Sequence, residues 1–199
     1  MGKTALLNKL RSSIEGFFQY IAGFISRAGV TPNQLTSTSL IIAIVGYLLV
    51  VVYKNPLILV AAILVSGFID VVDGALARLK SMATKRGAFL DSIIDRLCEV
   101  IYSLSLIEIG FEPRLVLAYT GLSLMVSYGR ARGESLGVSM SGVGLMERAE
   151  RLIGLVVTLV VFIFNNTSAQ IALLVLTTLT GITVLERFMH AWRLLGSNS

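Results

Sequence analysis

The sequence predicts an all-α integral membrane protein: six transmembrane helices preceded by an N-terminal amphipathic interfacial helix. Three observations predict it. The chain has 199 residues, of which 55% are hydrophobic and only 15% charged, with a mean hydropathy of +0.81; a soluble domain would carry roughly 25% charge. Six apolar stretches of membrane-spanning length follow one another, separated by turn signals. Near the N-terminus the apolar residues instead recur every three or four positions. The expected organisation is one membrane domain over residues 1–199, with an interfacial helix in 1–30 and a six-helix bundle in 35–190.

The first element is "KTALLNKLRSSIEGFFQYIAGFISRAG", which lacks the continuous apolar run of a signal peptide. Leu7, Leu10, Ile14, Phe17, Phe18, Ile21, Phe24 and Ile25 form one stripe, and Lys9, Arg11, Ser12, Glu15 and Gln19 fill the gaps. That pattern suits a helix lying along the membrane interface. Gly29 ends it, and "TPNQLT" is a start signal for the next helix.

The six spans are expected at Leu35–Tyr53, Leu57–Leu79, Ala88–Ile109, Leu115–Glu134, Glu147–Phe164 and Ala169–His190. Each is near the ~20 residues a bilayer demands. Asn55-Pro56, Lys85-Arg86-Gly87, Glu112-Pro113, the Gly137–Gly144 stretch and Asn165-Asn166 separate them. Basic residues gather on alternate sides. Lys3, Lys9, Arg11 and Arg27 precede the first span, and Arg78, Lys80, Lys85 and Arg86 lie between the second and third. Arg130, Arg132, Arg148 and Arg151 flank the loop between the fourth and fifth, and Arg187 and Arg193 close the chain. Only Lys54 and Arg114 fall on the other side. By the positive-inside rule the chain is a multi-pass protein of the cell membrane with both termini in the cytoplasm. The net charge of +5 then reports topology and contact with anionic headgroups, not nucleic acid. The single cysteine, Cys98, has no partner for an internal disulfide and reads as a packing residue. His190 and Trp192 suit an interfacial belt.

The second and third spans carry acids that an apolar helix should avoid. Asp70 and Asp73 are three apart; Asp91 and Asp95 are four apart. Residues at those spacings share a helix face, so an antiparallel helix pair can bring all four carboxylates together near the cytoplasmic surface. One unpaired carboxylate at membrane depth costs roughly 2.5–3.5 kcal/mol on insertion scales, and four repel one another. A cation must sit among them. Carboxylate oxygens without histidine or cysteine favour Mg²⁺, Mn²⁺ or Ca²⁺. Pairing with Arg78, Lys80, Lys85, Arg86 and Arg96 explains less, because the hairpin bases can reach water. Gly74 and Ala77 clear space beside the acids, either for a ligand or for helix packing.

The spacing D-x2-D-G-x2-A-R-x8-G-x3-D-x3-D, here Asp70, Asp73, Gly74, Ala77, Arg78, Gly87, Asp91 and Asp95, resembles the signature of the CDP-alcohol phosphotransferases. The six-span plan agrees, so the resemblance covers nearly the whole chain. It implies an enzyme that moves a phosphatidyl-type group from a CDP-linked lipid to an alcohol and releases CMP. It further implies that Asp70, Asp73, Asp91 and Asp95 hold two divalent ions, Mg²⁺ with Mn²⁺ as the alternative, with Asp70 and Asp91 bridging. Asp95 would be the general base. By the same resemblance Asn33, Thr36, Gly74, Ala77, Arg78 and Thr84 touch the CDP-lipid, although Asn33 and Thr36 also suit helix capping and Thr84 a solvated hairpin. The resemblance also implies a homodimer.

A second basic stretch, "SYGRARGESLGVSMSGVGLMERAERLIG", bears on the acceptor. Converging arginines suit a phosphorylated alcohol; ion pairs to Glu134, Glu147 and Glu150 are the plainer reading. The stretch looks like that of the phosphatidylinositol-phosphate and archaetidylinositol-phosphate synthases within the family. That likeness implies inositol phosphate as acceptor, held by Arg130, Arg151 and Arg187. Ala149 stands where bacterial members often have proline, and "GVGLMERAERL" reads as archaeal, favouring CDP-archaeol over CDP-diacylglycerol. Glu99, one turn beyond Asp95, supports either the metal shell or a hydrogen bond within the bundle. The alternatives are phosphatidylglycerol-phosphate synthesis within the family and, outside it, a small ion transporter or a membrane scaffold. A transporter predicts acids spread across the membrane depth, and these cluster at one end.

Overall fold

The computed structural model describes residues 16–79 and 84–196, and all regular structure among them is α-helical. The helices are α1 (residues 16–27), α2 (Pro32–Tyr53), α3 (Pro56–Leu79), α4 (Lys85–Ile109), α5 (Pro113–Ser135), α6 (Arg148–Phe164) and α7 (Asn166–Gly196). A helix therefore covers each of the six apolar stretches.

Five of the six starts come one to three residues earlier than the apolar pattern suggests, because polar caps and prolines extend the helices outward, and α6 starts one residue later. All three prolines of the chain are first residues of a helix: Pro32, Pro56 and Pro113. There the missing N–H costs nothing and the fixed φ suits the helix. Before α2, Thr31 and Gln34 cap one another, Thr31 N donating to Gln34 Oε1 at 2.8 Å and Gln34 N to Thr31 Oγ1 at 3.3 Å, a capping box. Asn55 accepts from Leu57 N, Thr84 from Gly87 N, Glu112 from Leu115 N and Asn165 from Ser168 N. Each side chain supplies an acceptor to an otherwise unpaired first-turn N–H.

The glycine ends are equally local. Gly137 has φ +81, Val138 N donates to Gly133 O at 2.9 Å and Gly137 N to Glu134 O at 3.1 Å. These are the two bonds of a Schellman ending to α5, which requires a left-handed residue.

Three described helices are long and apolar enough to cross a membrane: α2, α3 and α7. The others differ for evident reasons. Helix α4 carries Asp91, Asp95, Arg96, Glu99 and Glu108, and α5 ends in Arg130, Arg132 and Glu134. Helix α6 has only 17 residues. Burial is nonetheless arranged for an apolar surrounding. Along α6 the buried residues are Arg151, Leu155, Thr158 and Leu159, while Ile153, Val157, Val160 and Phe164 are exposed. Polar Arg151 and Thr158 are buried beside two leucines while large apolar side chains face outward, an arrangement that suits an apolar surrounding.

The chain divides into two compact units: the described residues of Met1–Gly46 with Leu64–Cys98, and Tyr47–Ile63 with Glu99–Ser199. In the first, Ala22, Ala75 and Leu76 are buried together and Phe18, Ile25 and Leu35 pack on them. Helix α1 thus docks on α3, with the Phe18 and Phe68 rings 5.6 Å apart. Phe17, Tyr20 and Phe24 project on its other side, exposed. Of the expected amphipathic stripe, Leu7, Leu10 and Ile14 lie outside the described residues.

In the second unit α7 packs against both α5 and α6. Its buried stripe runs Ala169, Leu173, Leu176, Thr177, Thr180, Thr183 and Arg187. Close approach needs glycine: a Cβ at Gly154 would lie 2.6 Å from Leu176 Cδ1. The loop from α5 to α6 is strapped to α7, with Met146 N donating to Thr183 Oγ1 at 3.0 Å and Arg187 Nε to Val143 O at 2.9 Å.

Candidate active site

In the first unit three of the four aspartates converge. Asp70, Asp91 and Asp95 each offer a carboxylate oxygen, and those oxygens all lie within 4.8 Å of one another. Asp95 is buried; Asp70 and Asp91 are half-buried. Helix geometry explains the membership. Asp91 and Asp95 are one full turn apart on α4. On α3, the three-residue step from Asp70 to Asp73 turns the side chain by about 60°. Asp73 therefore stands outside the trio, where Thr36 Oγ1 donates to its Oδ2 at 2.7 Å. Among the cations considered as partners for the acids, Arg96 reaches Asp95 Oδ2 through Nη1 at 3.3 Å, while the same Nη1 donates to Ser92 O at 3.1 Å. The donor set is all oxygen, and it fits a hard divalent cation.

Beside the trio lies a pocket of about 150 Å³, lined by Pro32, Asn33, Thr36, Asp73, Gly74, Ala77, Thr84, Gly87, Ala88 and Asp91. Asp91 belongs to both features. Of the residues expected to touch the CDP-lipid, Asn33, Thr36, Gly74, Ala77 and Thr84 line this pocket. Arg78 does not; it is exposed and folds back along α3, its Nη1 lying 3.4 Å from where a Cβ on Gly74 would be. Gly87 sits at the narrowest approach: its Cβ would meet Asn33 Oδ1 at 3.1 Å and Thr84 Oγ1 at 3.2 Å. Thr84 is thus both the cap of α4 and part of the pocket wall. Lys80, between the two helices, lies outside the described residues.

In the second unit each of the three expected acceptor arginines has a carboxylate neighbour. Arg151, 1% exposed, donates from Nη2 to both Glu99 oxygens at 2.8 and 3.0 Å and from Nη1 to Met146 O at 3.0 Å. Its Nε makes no hydrogen bond. Arg148 Nε lies 3.8 Å from Glu99 Oε1. Arg187 is buried; Nη1 donates to Val126 O at 2.7 Å, and Nη2 lies 3.5 Å from Glu147 Oε1. Arg130 is surface-exposed and paired with Glu134 one turn along α5, Nε to Oε1 at 3.0 Å. The three therefore differ in kind: Arg130 is a surface cation, Arg151 a buried one, and Arg187 is largely engaged with backbone carbonyls.

Sequence reasoning left Glu99 undecided and gave Arg148 no role. The signal for Arg148 was present in its three-residue spacing from Arg151 on one helix face. Nothing local marks Glu99 as their partner, since it lies 52 residues from Arg151.

Comparison with known proteins bears on both units. A family described as CDP-alcohol phosphatidyltransferase matches residues 29–189. The archaetidylinositol phosphate synthase of Aeropyrum pernix is 36% identical over 186 residues, 93% of this chain and 95% of that protein. The enzyme of the same name from Methanothermobacter thermautotrophicus is 37% identical over 199 aligned positions, 95% of each chain. Among solved structures, the Mycobacterium tuberculosis phosphatidylinositol phosphate synthase with CDP-DAG bound superposes with a TM-score of 0.79 at 26% identity, covering 88% of this chain and 93% of that one. The same enzyme in complex with manganese and citrate gives 0.79 at 25% identity, covering 88% of each chain.

Proposed function

Because the chain belongs to the CDP-alcohol phosphatidyltransferase family, we propose that it transfers an archaetidyl or phosphatidyl group from a CDP-linked lipid to inositol phosphate, releasing CMP. The observation that carries this reading is the clustering of the Asp70, Asp91 and Asp95 carboxylates beside a pocket that shares Asp91. Relatives named archaetidylinositol phosphate synthase support inositol phosphate as acceptor and favour CDP-archaeol as donor.

In this reading Asp70, Asp91 and Asp95, with Asp73 beside them, would hold two divalent cations, Mg²⁺ or Mn²⁺. When bound, the ions shield the charge of the pyrophosphate and align attacker with leaving group. The other steps belong to side chains. The pocket of Asn33, Thr36, Gly74, Ala77 and Thr84 receives the nucleotide, Gly74 allowing it to lie against the backbone. Arg78 turns toward the CDP phosphates, a role suited to a planar multi-donor cation. Asp95 takes the proton of the attacking hydroxyl. The hydroxyl oxygen bonds to the lipid-bearing phosphorus, the pyrophosphate bond breaks, and CMP leaves with its electron pair. A carboxylate tightly bound to metal is a poor base, so Asp95 would have to be the most weakly ligating of the set to take this proton. Arg130, Arg151 and Arg187 bind the acceptor phosphate, Arg151 through its uncommitted Nε.

The alternation of basic loops supports six membrane crossings with the site and both termini on the cytoplasmic side. The likeness to the family supports a homodimer.

The test is acceptor competition: purified protein, CDP-archaeol or CDP-diacylglycerol, divalent metal and labelled inositol phosphate, against unlabelled glycerol phosphate, serine and free inositol. CMP release tracking inositol phosphate is the expected result. Preference for glycerol phosphate or free inositol overturns the acceptor assignment, and no CMP with any alcohol overturns the reading entirely.

A further inference from the structure

We propose that Glu99 is the positioning residue of acceptor binding, fixing the Arg151 guanidinium so that its uncommitted Nε–H is offered to a phosphate oxygen. This rests on the reading of Arg151 as a ligand of the acceptor phosphate. Both Glu99 oxygens lie on Nη2 of Arg151, at 2.8 and 3.0 Å. The Met146 carbonyl takes Nη1 at 3.0 Å. Two nitrogens are thereby fixed, which sets the plane and rotation of the guanidinium. Nε is left as a buried donor without a partner. A buried polar group in that condition is costly unless something supplies an acceptor. A phosphate oxygen supplies one with charge.

The arrangement is hard to explain by stability. A buried ion pair is often no more stabilising than apolar residues of the same size, and here it sits in a bundle whose outer surface is apolar. Glu99 is also shared, with Arg148 Nε at 3.8 Å, so one carboxylate holds two cations near each other. On another side Glu99 borders a small cavity lined also by Tyr102, Ser103, Tyr119, Ser123 and Leu155. Glu99 never touches the reacting atoms in this scheme; it acts through Arg151.

A double-mutant cycle tests this on the full-length protein with CDP-lipid, metal and inositol phosphate. Glu99→Gln should raise the inositol phosphate KM by about tenfold while leaving the CDP-lipid KM unmoved, and Glu99→Asp should fall between it and wild type. Arg151→Gln combined with Glu99→Gln should be no worse than Arg151→Gln alone, because both remove one device. Should Arg151→Gln not fold, Arg151→Lys replaces it in the cycle. An inositol phosphate KM that stays level or falls in Glu99→Gln overturns the inference, as does additivity in the double variant. If Arg151 variants themselves leave the inositol phosphate KM unchanged, the acceptor reading fails and this inference with it. If they raise it and Glu99→Gln does not, only the role of Glu99 fails.

Discussion

Thr36 and Asp73 meet across two helices: the Thr36 hydroxyl on α2 lies 2.7 Å from Asp73 Oδ2 on α3 and 3.0 Å from the Pro32 carbonyl one turn back. A hydroxyl has one hydrogen, and the shorter contact with the more charged acceptor takes it. The bond joins α2 to an acid of the signature within the wall of the pocket.

Removing that hydrogen should matter more than its size suggests. Thr36→Val keeps the shape and deletes the donor, leaving Asp73 buried with one partner fewer. The expected cost is about 1–3 kcal/mol, read as a lower melting temperature in detergent. A raised CDP-lipid KM should accompany it, because both residues line the same pocket. A variant with wild-type melting and wild-type CDP-lipid KM would show that the bond serves neither purpose.

Metal dependence should be strict. Three carboxylates within 4.8 Å repel one another without a cation. EDTA should abolish CMP release, and Mg²⁺ or Mn²⁺ should restore it. Removing the metal should also lower the melting temperature, since a ligand bound to the folded state alone stabilises it. Full turnover in chelator would remove the two-ion reading.

Asp95 should separate from its neighbours. Asp95→Asn should abolish turnover while CDP-lipid binding remains measurable, because Asp70, Asp73 and Asp91 still hold metal. Asp70→Asn should weaken metal and nucleotide together. Equilibrium binding of CDP-lipid in the presence of Mn²⁺ distinguishes the two; equal losses would make Asp95 chiefly a ligand and leave the base unassigned.

Much of this was legible locally. The six helices follow from apolar stretches and their punctuation, and Pro32, Pro56 and Pro113 mark starts because a proline N–H is not missed there. The Schellman end at Gly137 is likewise a short-range property. The acid trio was half legible: spacing along each helix is fixed by geometry, but which of Asp70 and Asp73 faces α4 depends on how the helices rotate, and the Thr36 contact bridges 37 positions. The same limit applied to the arginines. Arg130 with Glu134 is a one-turn pair visible in the sequence; Arg151 with Glu99 exists only because α6 packs where it does. In the sequence Asn33 and Thr36 read as nucleotide contacts, with capping of α2 as the alternative; Thr31 and Gln34 perform the capping, and Asn33 and Thr36 line the pocket.

The acceptor arginines should not respond alike. Arg130 is exposed and its surface pair with Glu134 contributes little to folding, so Arg130→Ala should leave the melting temperature near wild type. If Arg130 contacts the phosphate, losing one charge-assisted bond of about 1.5–3 kcal/mol raises the inositol phosphate KM by about 10- to 150-fold. Arg151→Ala does two things at once. It removes a phosphate contact and leaves the buried Glu99 with only the longer Arg148 contact of 3.8 Å, which should cost up to about 3–5 kcal/mol of stability. Its melting temperature should fall clearly, and its KM effect must be measured on the folded fraction. Arg151→Lys keeps the charge for Glu99 but loses the fork, so its stability should recover more than its KM does. The CDP-lipid KM should barely move in any of these, because that substrate is assigned to Asn33, Thr36 and Arg78. Should Arg130→Ala raise both KM values alike, or neither, Arg130 is a surface anchor. The acceptor site would then reduce to Arg151 and Arg187.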